Sequence, residues 1–407
     1  MKSKNMTSEA IKVRWRHRAF FWFLRVFIVR FVWRKYGYKP VKFSEKKAGI
    51  KPPYLVLAPH VAQLDPALLA SGFRRQIYFV SNADLMHQGL VSKILRFTLS
   101  PIPKKKGIPD IVTVRNIAGI KNQGGVVGIF PSGNTTFTGR GDPFGVTTAR
   151  LVKMLKIPVV FYSFGELFFC VPRFSDTGRR PEKGRVTGRV TRVMMPEEYA
   201  ELTPEQIHEI LVAELCPNYY VTQRKNMRPF KGENLAQYVE RAVFWCPECG
   251  GFGMKSEGGL FGCPECGYQV RYNKYGFFED CGRGVVYDNV ADWYDAQVVF
   301  AEGKEYPQGS LVTADPDCSV FDYKENGDSR PVATGSLSFY TDRLELDYGK
   351  NEKIIFKLDD IEELIVIKRK FVLFYTKGGG VYRISGRANF GLCKYLVLFH
   401  ALRTKKQ

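Results

Sequence analysis

A histidine and an aspartate lie five residues apart in the segment APHVAQLDP of residues 58–66, as His60 and Asp65. An imidazole whose tautomer is fixed by a carboxylate can take a proton from a hydroxyl group. On one continuous helix the two side chains would point about 140° apart. Contact between them therefore requires a change of backbone direction within the segment.

The neighbouring residues predict such a change. Residues 54–58 read YLVLA, a short apolar run typical of a buried strand. Asp65 followed by Pro66 is typical of a helix start, with aspartate at the N-cap and proline in the first helical position. His60 is then expected at the carboxyl end of a strand, where open α/β sheets bind their ligands. The alternative is that Asp65 only caps its helix and that His60 is an ordinary loop residue.

Three further segments follow in a fixed order: IPKKKG at 102–107, FPSGNTT at 130–136 after an apolar run, and KIPVVFY at 156–162. This order resembles the glycerolipid (lysophospholipid) acyltransferase family. Its four blocks are H-x4-D, a basic segment, a loop of the type F-P-E-G-T/N-R, and a strand that begins with a proline. The resemblance covers roughly residues 50–215, and the order and spacing of the blocks make it specific.

The resemblance implies that His60 is a general base, oriented by Asp65, for the attack of a hydroxyl group on an acyl thioester. It implies acyl-CoA or acyl carrier protein as donor and a lysophospholipid such as 1-acylglycerol-3-phosphate as acceptor. The substrate-binding residues that it implies are Lys104, Lys105, Lys106, Phe130, Pro131, Ser132, Gly133, Asn134 and Thr135. Two positions depart from the family, because Ser132 replaces its glutamate and Thr135 its arginine. These departures leave the His60–Asp65 pair intact and leave the acceptor open.

Four cysteines form the strongest single motif, C-x2-C, thirteen residues, C-x2-C, with ligands Cys246, Cys249, Cys263 and Cys266. Two such knuckles point four thiolates at one metal ion, which predicts a closed, structural zinc site in a zinc ribbon. Disulfides are the alternative and are disfavoured by the doubled knuckle. Zinc thiolates indicate a reducing compartment.

The formal net charge of +21 predicts an anionic partner. Residues 11–39 combine arginines with Trp15, Trp22 and Trp33, and Arg25 and Arg30 interrupt the apolar run, which disfavours a spanning helix. We expect a helix that lies in the headgroup region of an anionic membrane surface, as a peripheral or monotopic protein on the cytoplasmic face. The alternative is a buried aromatic helix with solvated arginines.

From about residue 300 the pattern changes to short strands and then a helix at 389–402. The strands are expected at 336–340, 343–347, 353–357, 363–367, 371–375 and 380–384. This arrangement resembles a pleckstrin-homology or GRAM-type barrel. The turn Lys368-Arg369-Lys370 is either a headgroup contact or a solvated hairpin.

The expected fold class is α/β, with a mostly parallel sheet in the acyltransferase domain, a small zinc ribbon, and a C-terminal β-barrel-like domain with a closing helix. The expected domains are 1–40 (membrane-interfacial helical segment), 41–230 (acyltransferase), 231–285 (connector helix and zinc ribbon) and 300–407 (pleckstrin-homology/GRAM-like). Two alternative functions remain. One is a lipid-binding or scaffolding protein without activity, and the other is a zinc-ribbon nucleic-acid binder. The second is disfavoured, because only Arg271 is basic in the strand after the ribbon.

Overall fold

The computed structural model describes residues 11–82, 97–104, 111–323, 331–349 and 351–405. The chain divides into two compact units. The first comprises Met1–Pro172 and Gly178–Lys231, and the second comprises Arg173–Thr177 and Gly232–Gln407. The second unit contains the four cysteines and the C-terminal strands.

The first unit is built around a seven-stranded sheet with the order β1-β8-β6-β2-β5-β3-β4. The strands of this unit are β1 (Tyr38–Pro40), β2 (Tyr54–Leu57), β3 (Ile77–Asn82), β4 (Ile102–Lys104), β5 (Val126–Ile129), β6 (Val159–Ser163), β8 (Val186–Met194) and the short pair β7 (Arg180–Pro181) and β9 (Phe230–Lys231). The central strands β6, β2, β5, β3 and β4 are parallel to one another, and β8 runs antiparallel to β6. The expected α/β fold with a mostly parallel sheet is confirmed.

Eight helices are described in this unit. They are α1 (Trp15–Tyr36), α2 (Asp65–Ala70), α3 (Ile111–Asn122), α4 (Thr147–Leu155), α5 (Leu167–Cys170), α6 (Pro196–Tyr199), α7 (Pro204–Leu215) and α8 (Tyr219–Asn226). Strands β2 and β6 are buried on both faces, as their unbroken apolar runs predict for parallel strands. The core is formed by their side chains with those of α3, α4 and α7.

The first helix, α1, has 22 residues and ends at Gly37, whose backbone is left-handed. Within the described parts of the chain, none of the helices combines the length and the apolar character that a membrane crossing requires.

The second unit begins with a four-stranded antiparallel sheet, β10 (Lys255–Glu257), β11 (Leu260–Gly262), β12 (Gln269–Tyr272) and β13 (Phe278–Asp280). We expected the connector helix of the domain 231–285 over residues 232–244, and this prediction is wrong. That segment contains turns and a single 3-10 helix, Val239–Arg241. Asn234 and Tyr238 adopt left-handed backbone conformations there, which a continuous helix does not allow.

The rest of the second unit is helix α9 (Val290–Gly303), a seven-stranded antiparallel sheet and a terminal helix α10 (Leu392–Thr404). The strands are β14 (Leu311–Asp322), β15 (Pro331–Tyr340), β16 (Arg343–Gly349), β17 (Glu352–Lys357), β18 (Ile361–Ile367), β19 (Phe371–Thr376) and β20 (Val381–Ser385). The sequence predicts six of them and misses β14, because Pro316 lies inside it. A break in register between Asp315 and Cys318 accommodates this proline.

Candidate active site

The two residues of the H-x4-D segment are in contact. Strand β2 ends at Leu57, and His60 lies in the loop that leads to α2, whose first residue is Asp65. His60 Nδ1 and Asp65 Oδ2 are 2.8 Å apart. The side chain of His60 is 18% exposed and that of Asp65 is completely buried. The strand-loop-helix geometry therefore brings together two side chains that a continuous helix would separate.

Asp65 also holds the loop between the two residues. Its Oδ2 accepts hydrogen bonds from the backbone N–H groups of Val61, at 2.5 Å, and Ala62, at 2.9 Å. The expectation that Asp65 is the N-cap of α2 is wrong. The N-cap position is Leu64, and it has no side-chain cap hydrogen bond. The carboxylate thus faces back towards His60 instead of forward along its own helix.

The environment of Asp65 is apolar on one side and hydrogen-bonding on the other. Burial raises the pKa of Asp65 above its ordinary value of 3.8, while the hydrogen bonds from His60, Ala62 and Val61 oppose this rise. Its second oxygen, Oδ1, is buried and has no hydrogen-bond partner among the described residues. One carboxylate oxygen therefore makes all the described hydrogen bonds.

The loop 130–136 lies beside His60. Leu57 and Ile129 are partners in adjacent parallel strands, so the loops that follow β2 and β5 leave the same edge of the sheet. The ring of Phe130 stacks on that of His60 with centroids 4.6 Å apart. The backbone N–H of Thr136 donates to the carbonyl oxygen of His60 at 3.0 Å. The two sequence segments form one site.

Hydrogen bonds within this loop fix its turn. Gly133 has φ +66°, a left-handed conformation that favours glycine, and its N–H donates to the carbonyl of Phe130 at 3.0 Å. The hydroxyl of Ser132 donates to the carbonyl of Asn134 at 3.0 Å. Thr135 is buried, whereas Pro131, Ser132 and Asn134 are half-buried. Because the Gly133 N–H is occupied within the loop, it does not point to a reacting oxygen.

The basic segment is placed only in part. Lys104 is exposed at the carboxyl end of β4, three strands from β2 in the sheet, or about 14 Å at the usual strand spacing. The structure does not bring Lys104 into contact with His60. Lys105 and Lys106 lie outside the described residues.

Two tyrosines near Asp65 were not found by sequence reasoning. The hydroxyls of Tyr38 and Tyr162 are 2.8 Å apart and buried. Burial raises the pKa of both, and the negative charge of Asp65 contributes to both increases. A Cβ added to Gly188 would lie 1.7 Å from the Tyr38 hydroxyl, so glycine is required there. The sequence gives no signal for this pair, because its members come from strands 124 residues apart.

The four cysteines of the doubled knuckle converge in the second unit. The Sγ atoms of Cys246 and Cys266 are 3.6 Å apart, and those of Cys249 and Cys263 are 3.7 Å apart. All four sulfur atoms lie within 4.8 Å of one another. Four sulfurs at about 2.3 Å from one tetrahedral metal ion would be separated by about 3.8 Å, so the donor set fits zinc. Disulfides do not fit, since their sulfur atoms are about 2.05 Å apart.

Exposed aromatic side chains lie along α1. Trp15 is 80% exposed and Trp22 is 63% exposed, whereas Phe21 is buried. The alternative of a buried aromatic helix does not describe the two tryptophans.

In the second unit, the turn 368–370 joins β18 to β19, and Arg173 donates to the carbonyl oxygens of Val366 and Lys368. That basic turn is therefore a braced hairpin.

Three solved structures give a measure of similarity. The 1-acyl-sn-glycerophosphate (LPA) acyltransferase PlsC from Thermotoga maritima is 13% identical with a TM-score of 0.37, over 52% of this chain and 95% of that one. Dcp1p is 12% identical with a TM-score of 0.19, over 27% of this chain and 94% of that one. A chain of the 8S snRNP assembly intermediate is 12% identical with a TM-score of 0.18, over 25% and 85% of the two chains. The comparison with curated proteins gives no significant match.

The comparison with family models gives one match. Residues 36–164 match the model described as Acyltransferase. The matched range begins near the end of α1 and ends just after β6. It contains His60, Asp65 and the loop 130–136.

Proposed function

We propose that this chain, whose residues 36–164 match the acyltransferase family model, transfers a fatty acyl group from acyl-CoA or acyl carrier protein to the hydroxyl of a lysophospholipid such as 1-acylglycerol-3-phosphate. The hydrogen bond between His60 Nδ1 and Asp65 Oδ2 at the carboxyl edge of the parallel sheet carries this proposal. An acyl thioester is already a good electrophile, so the protein must supply a base, orientation and a place for negative charge.

The proposed base is Nε2 of His60. A carboxylate only accepts hydrogen bonds, so the proton between the two residues belongs to Nδ1 and leaves Nε2 with its lone pair. Nε2 takes the proton of the acceptor hydroxyl as the oxygen attacks the thioester carbon. When the carbon–sulfur bond breaks, the imidazolium returns the proton to the leaving thiolate. Asp65 stabilises the imidazolium between these steps, and no covalent enzyme intermediate is required.

The acceptor is proposed to be a lysophospholipid whose phosphate group meets basic residues of the segment 104–106. Ser132 and Thr135 stand where the family has a glutamate and an arginine. Neither side chain carries charge, and the hydroxyl of Ser132 is used within the loop. The loop 130–136 therefore supplies shape beside the base, and the contact with phosphate is assigned to Lys104, Lys105 and Lys106.

The proposed location is the cytoplasmic face of an anionic membrane, bound peripherally or monotopically. Support comes from the exposed Trp15 and Trp22 on α1 and from the net charge of +21. Tryptophan and arginine together favour the headgroup region of a bilayer. An enzyme bound there meets a lysolipid in the layer where its hydroxyl group lies.

The second unit is proposed to be an accessory to this activity. The four-cysteine module would be a zinc ribbon, in which Cys246, Cys249, Cys263 and Cys266 hold one structural zinc ion. The curled β14–β20 sheet with α10 would be a pleckstrin-homology-like domain that binds a headgroup or a protein. Ring contacts of Phe356 in β17 with Phe374 and Tyr382 support the curled form of the sheet.

The test is a survey of acceptors. The purified full chain is supplied with acyl-CoA or acyl carrier protein and with lysophospholipids that differ in headgroup, and the products are identified by mass spectrometry. The proposal predicts a diacyl product with at least one lysophospholipid. If the thioester is not consumed with any of these acceptors, the proposed acyl transfer is rejected. The alternative is then a lipid-binding or scaffolding protein, which Ser132 and Thr135 favour.

A further inference from the structure

A pocket with a volume of about 370 Å³ lies beside α1 in the first unit. One wall is α1, which contributes Arg18, Phe21 and Trp22, and the other is the turn that precedes β3, with Arg74, Arg75 and Gln76. Residues three and four apart on a helix share a face, so the α1 side chains line the pocket together.

The pocket is positively charged. Among the described residues that line it, the one carboxylate is Glu45, which lies 3.3 Å from Arg75 Nε and accepts a hydrogen bond from the Tyr54 hydroxyl at 3.0 Å. Glu45 therefore neutralises Arg75. Arg18 and Arg74 have no carboxylate partner within the described part of the chain. Two guanidinium groups in a pocket of this size favour an anion, and guanidinium geometry matches a phosphate group.

Gln76 adds a neutral polar group. Its side chain is buried, and its amide nitrogen donates to the carbonyl of Ile77 at 3.3 Å. Its Oε1 is buried and has no hydrogen-bond partner among the residues that the structure describes. Because this oxygen is closed to solvent, the polar character of the pocket comes from its arginines.

The pocket is distinct from the active site. Arg74, Arg75 and Gln76 immediately precede β3 (Ile77–Asn82), at the amino edge of the parallel strands. His60 lies beyond the carboxyl end of β2. A six-residue strand is about 20 Å long, so the pocket and the imidazole lie at opposite edges of the sheet. The ligand of this pocket is not the group that reacts at His60.

The surface around the pocket indicates which kind of molecule carries the anion. Trp15 and Trp22 are seven residues apart, hence on the same face of α1, and both are more than half exposed. Exposed tryptophans on the same helix face as Arg18 are typical of a surface that enters the headgroup layer of a bilayer. At that depth the arginines would reach lipid phosphates.

We propose that this pocket, the headgroup pocket, binds the phosphate of an anionic phospholipid and so docks α1 on the membrane. Arg18 and Arg74 contact the phosphate, and Trp22 contacts the glycerol region. The proposal rests on the membrane association proposed above. It adds a specific lipid site to a surface that would otherwise attract anionic lipid by charge alone.

The experiment measures binding of the full chain to three probes: inorganic phosphate, vesicles of phosphatidylcholine, and vesicles of phosphatidylcholine with phosphatidylserine. The test variant is Arg18→Ala with Arg74→Ala. All four arginines are exposed, and the matched control, Arg30→Ala with Arg34→Ala, removes the same charge from positions of α1 that do not line the pocket. Thermal unfolding of each variant verifies that it is folded, and Arg74→Glu is a second test variant.

The proposal predicts that the test variant weakens binding to the phosphatidylserine vesicles by roughly tenfold more than the control does. It also predicts that Trp22→Ala weakens vesicle binding and leaves phosphate binding intact. Equal losses in the two double variants would overturn the headgroup pocket and leave membrane association standing. A wild-type chain that binds no vesicle would overturn both.

Two further outcomes would reassign the pocket and overturn the proposal. Loss of phosphate binding with unchanged vesicle binding would show a site for free phosphate. Binding to an oligoribonucleotide that depends on Arg18 and Arg74, and that vesicles do not displace, would show a nucleic-acid site. None of these measurements consumes acyl donor, so they do not depend on whether the chain transfers acyl groups.

Discussion

The imidazole of His60 stacks on the ring of Phe130, with centroids 4.6 Å apart and planes inclined by 24°. Phe130 is itself 8% exposed and is enclosed by Phe79 and Phe164. Phe130, the first residue of the loop 130–136, therefore packs against one face of the imidazole. Together with the carboxylate of Asp65, it restricts the ring to one orientation.

Phe130→Leu tests this role. Leucine keeps the site apolar but removes the flat surface against which the imidazole stacks. We expect kcat to fall by about tenfold, because a small misplacement of a base is costly, while KM changes little. Steady-state kinetics against both substrates measures the two constants separately.

A rise of KM with an unchanged kcat would contradict this view and make Phe130 a substrate contact. Phe144→Leu is a matched control in the same unit, since Phe144 contacts His208 instead of His60. It removes a ring of the same size from beside another histidine.

Alanine substitutions at two glycines with different backbone conformations test the turn of the loop 130–136. Gly133 has φ +66°, whereas Gly119 lies within α3 and has no positive φ, and neither has an atom within 4 Å of an added Cβ. Gly133→Ala should lower the free energy of unfolding by about 1–2 kcal/mol through backbone strain. Gly119→Ala should raise it by about 0.5–1 kcal/mol.

Urea unfolding of the two variants measures both changes. Because neither site is crowded, the sign depends on backbone conformation alone. An increase in stability for Gly133→Ala would show that the loop is not held in the left-handed conformation.

The H-x4-D segment shows which structural features the local sequence predicts. The apolar run before His60 predicts β2, and Asp65-Pro66 predicts the start of α2; the structure contains both elements. Their contact follows because strand, loop and helix are adjacent in sequence. The contact of the Asp65 carboxylate with His60 was predicted correctly. The N-cap assignment of Asp65 was wrong, because the N–H groups of Val61 and Ala62, which bind the carboxylate, depend on the loop conformation.

Features that depend on distant residues were not predictable. The Tyr38–Tyr162 pair requires that β1 and β6 both pack beside β8, and no local pattern encodes this order. The segment 232–244 contains enough apolar residues to suggest a helix. Its side chains are instead distributed among the turns around the 3-10 helix. Regular apolar patterns near a motif therefore gave correct predictions of helices and strands. Irregular segments that are held by tertiary contacts did not.

Asp65→Asn is expected to change the pH dependence of stability. Since burial raises the pKa of Asp65, the folded state binds a proton more readily than the unfolded state. The contribution of Asp65 to stability is therefore largest below pH 3.8 and is lost as the pH rises through the folded pKa. The difference in free energy of unfolding, wild type minus Asp65→Asn, should increase as the pH falls from neutral towards 4.

Urea unfolding of both proteins at several pH values measures this difference, in which titrating groups remote from residue 65 cancel. The same comparison in a His60→Ala background removes the contribution of the partner imidazole. A difference that decreases with falling pH would mean that hydrogen bonding outweighs burial at Asp65. The same variant should lose most of its acyl transfer, because an amide at this position no longer fixes the His60 tautomer.

The cysteine site makes a prediction about metal content. We expect one zinc ion per chain, measured by elemental analysis, and loss of that zinc in Cys249→Ser. Cys281→Ser is the control, since Cys281 is exposed and is not among the four converging cysteines. Removal of zinc by a chelator should lower the melting temperature of the second unit, because metal binding is coupled to folding. A metal-free chain with unchanged melting behaviour would contradict the structural role.

The most direct measurement of the central claim is the rate of thioester consumption by His60→Ala, relative to wild type and to His208→Ala, a histidine on α7. With an acceptor that the wild type acylates, removal of the base should lower kcat by about 100-fold or more, while the variant melts at an unchanged temperature. The His208→Ala rate should stay within a few-fold of the wild-type rate. A folded His60→Ala protein that turns over thioester at the wild-type rate would contradict the assignment of His60 as the catalytic base.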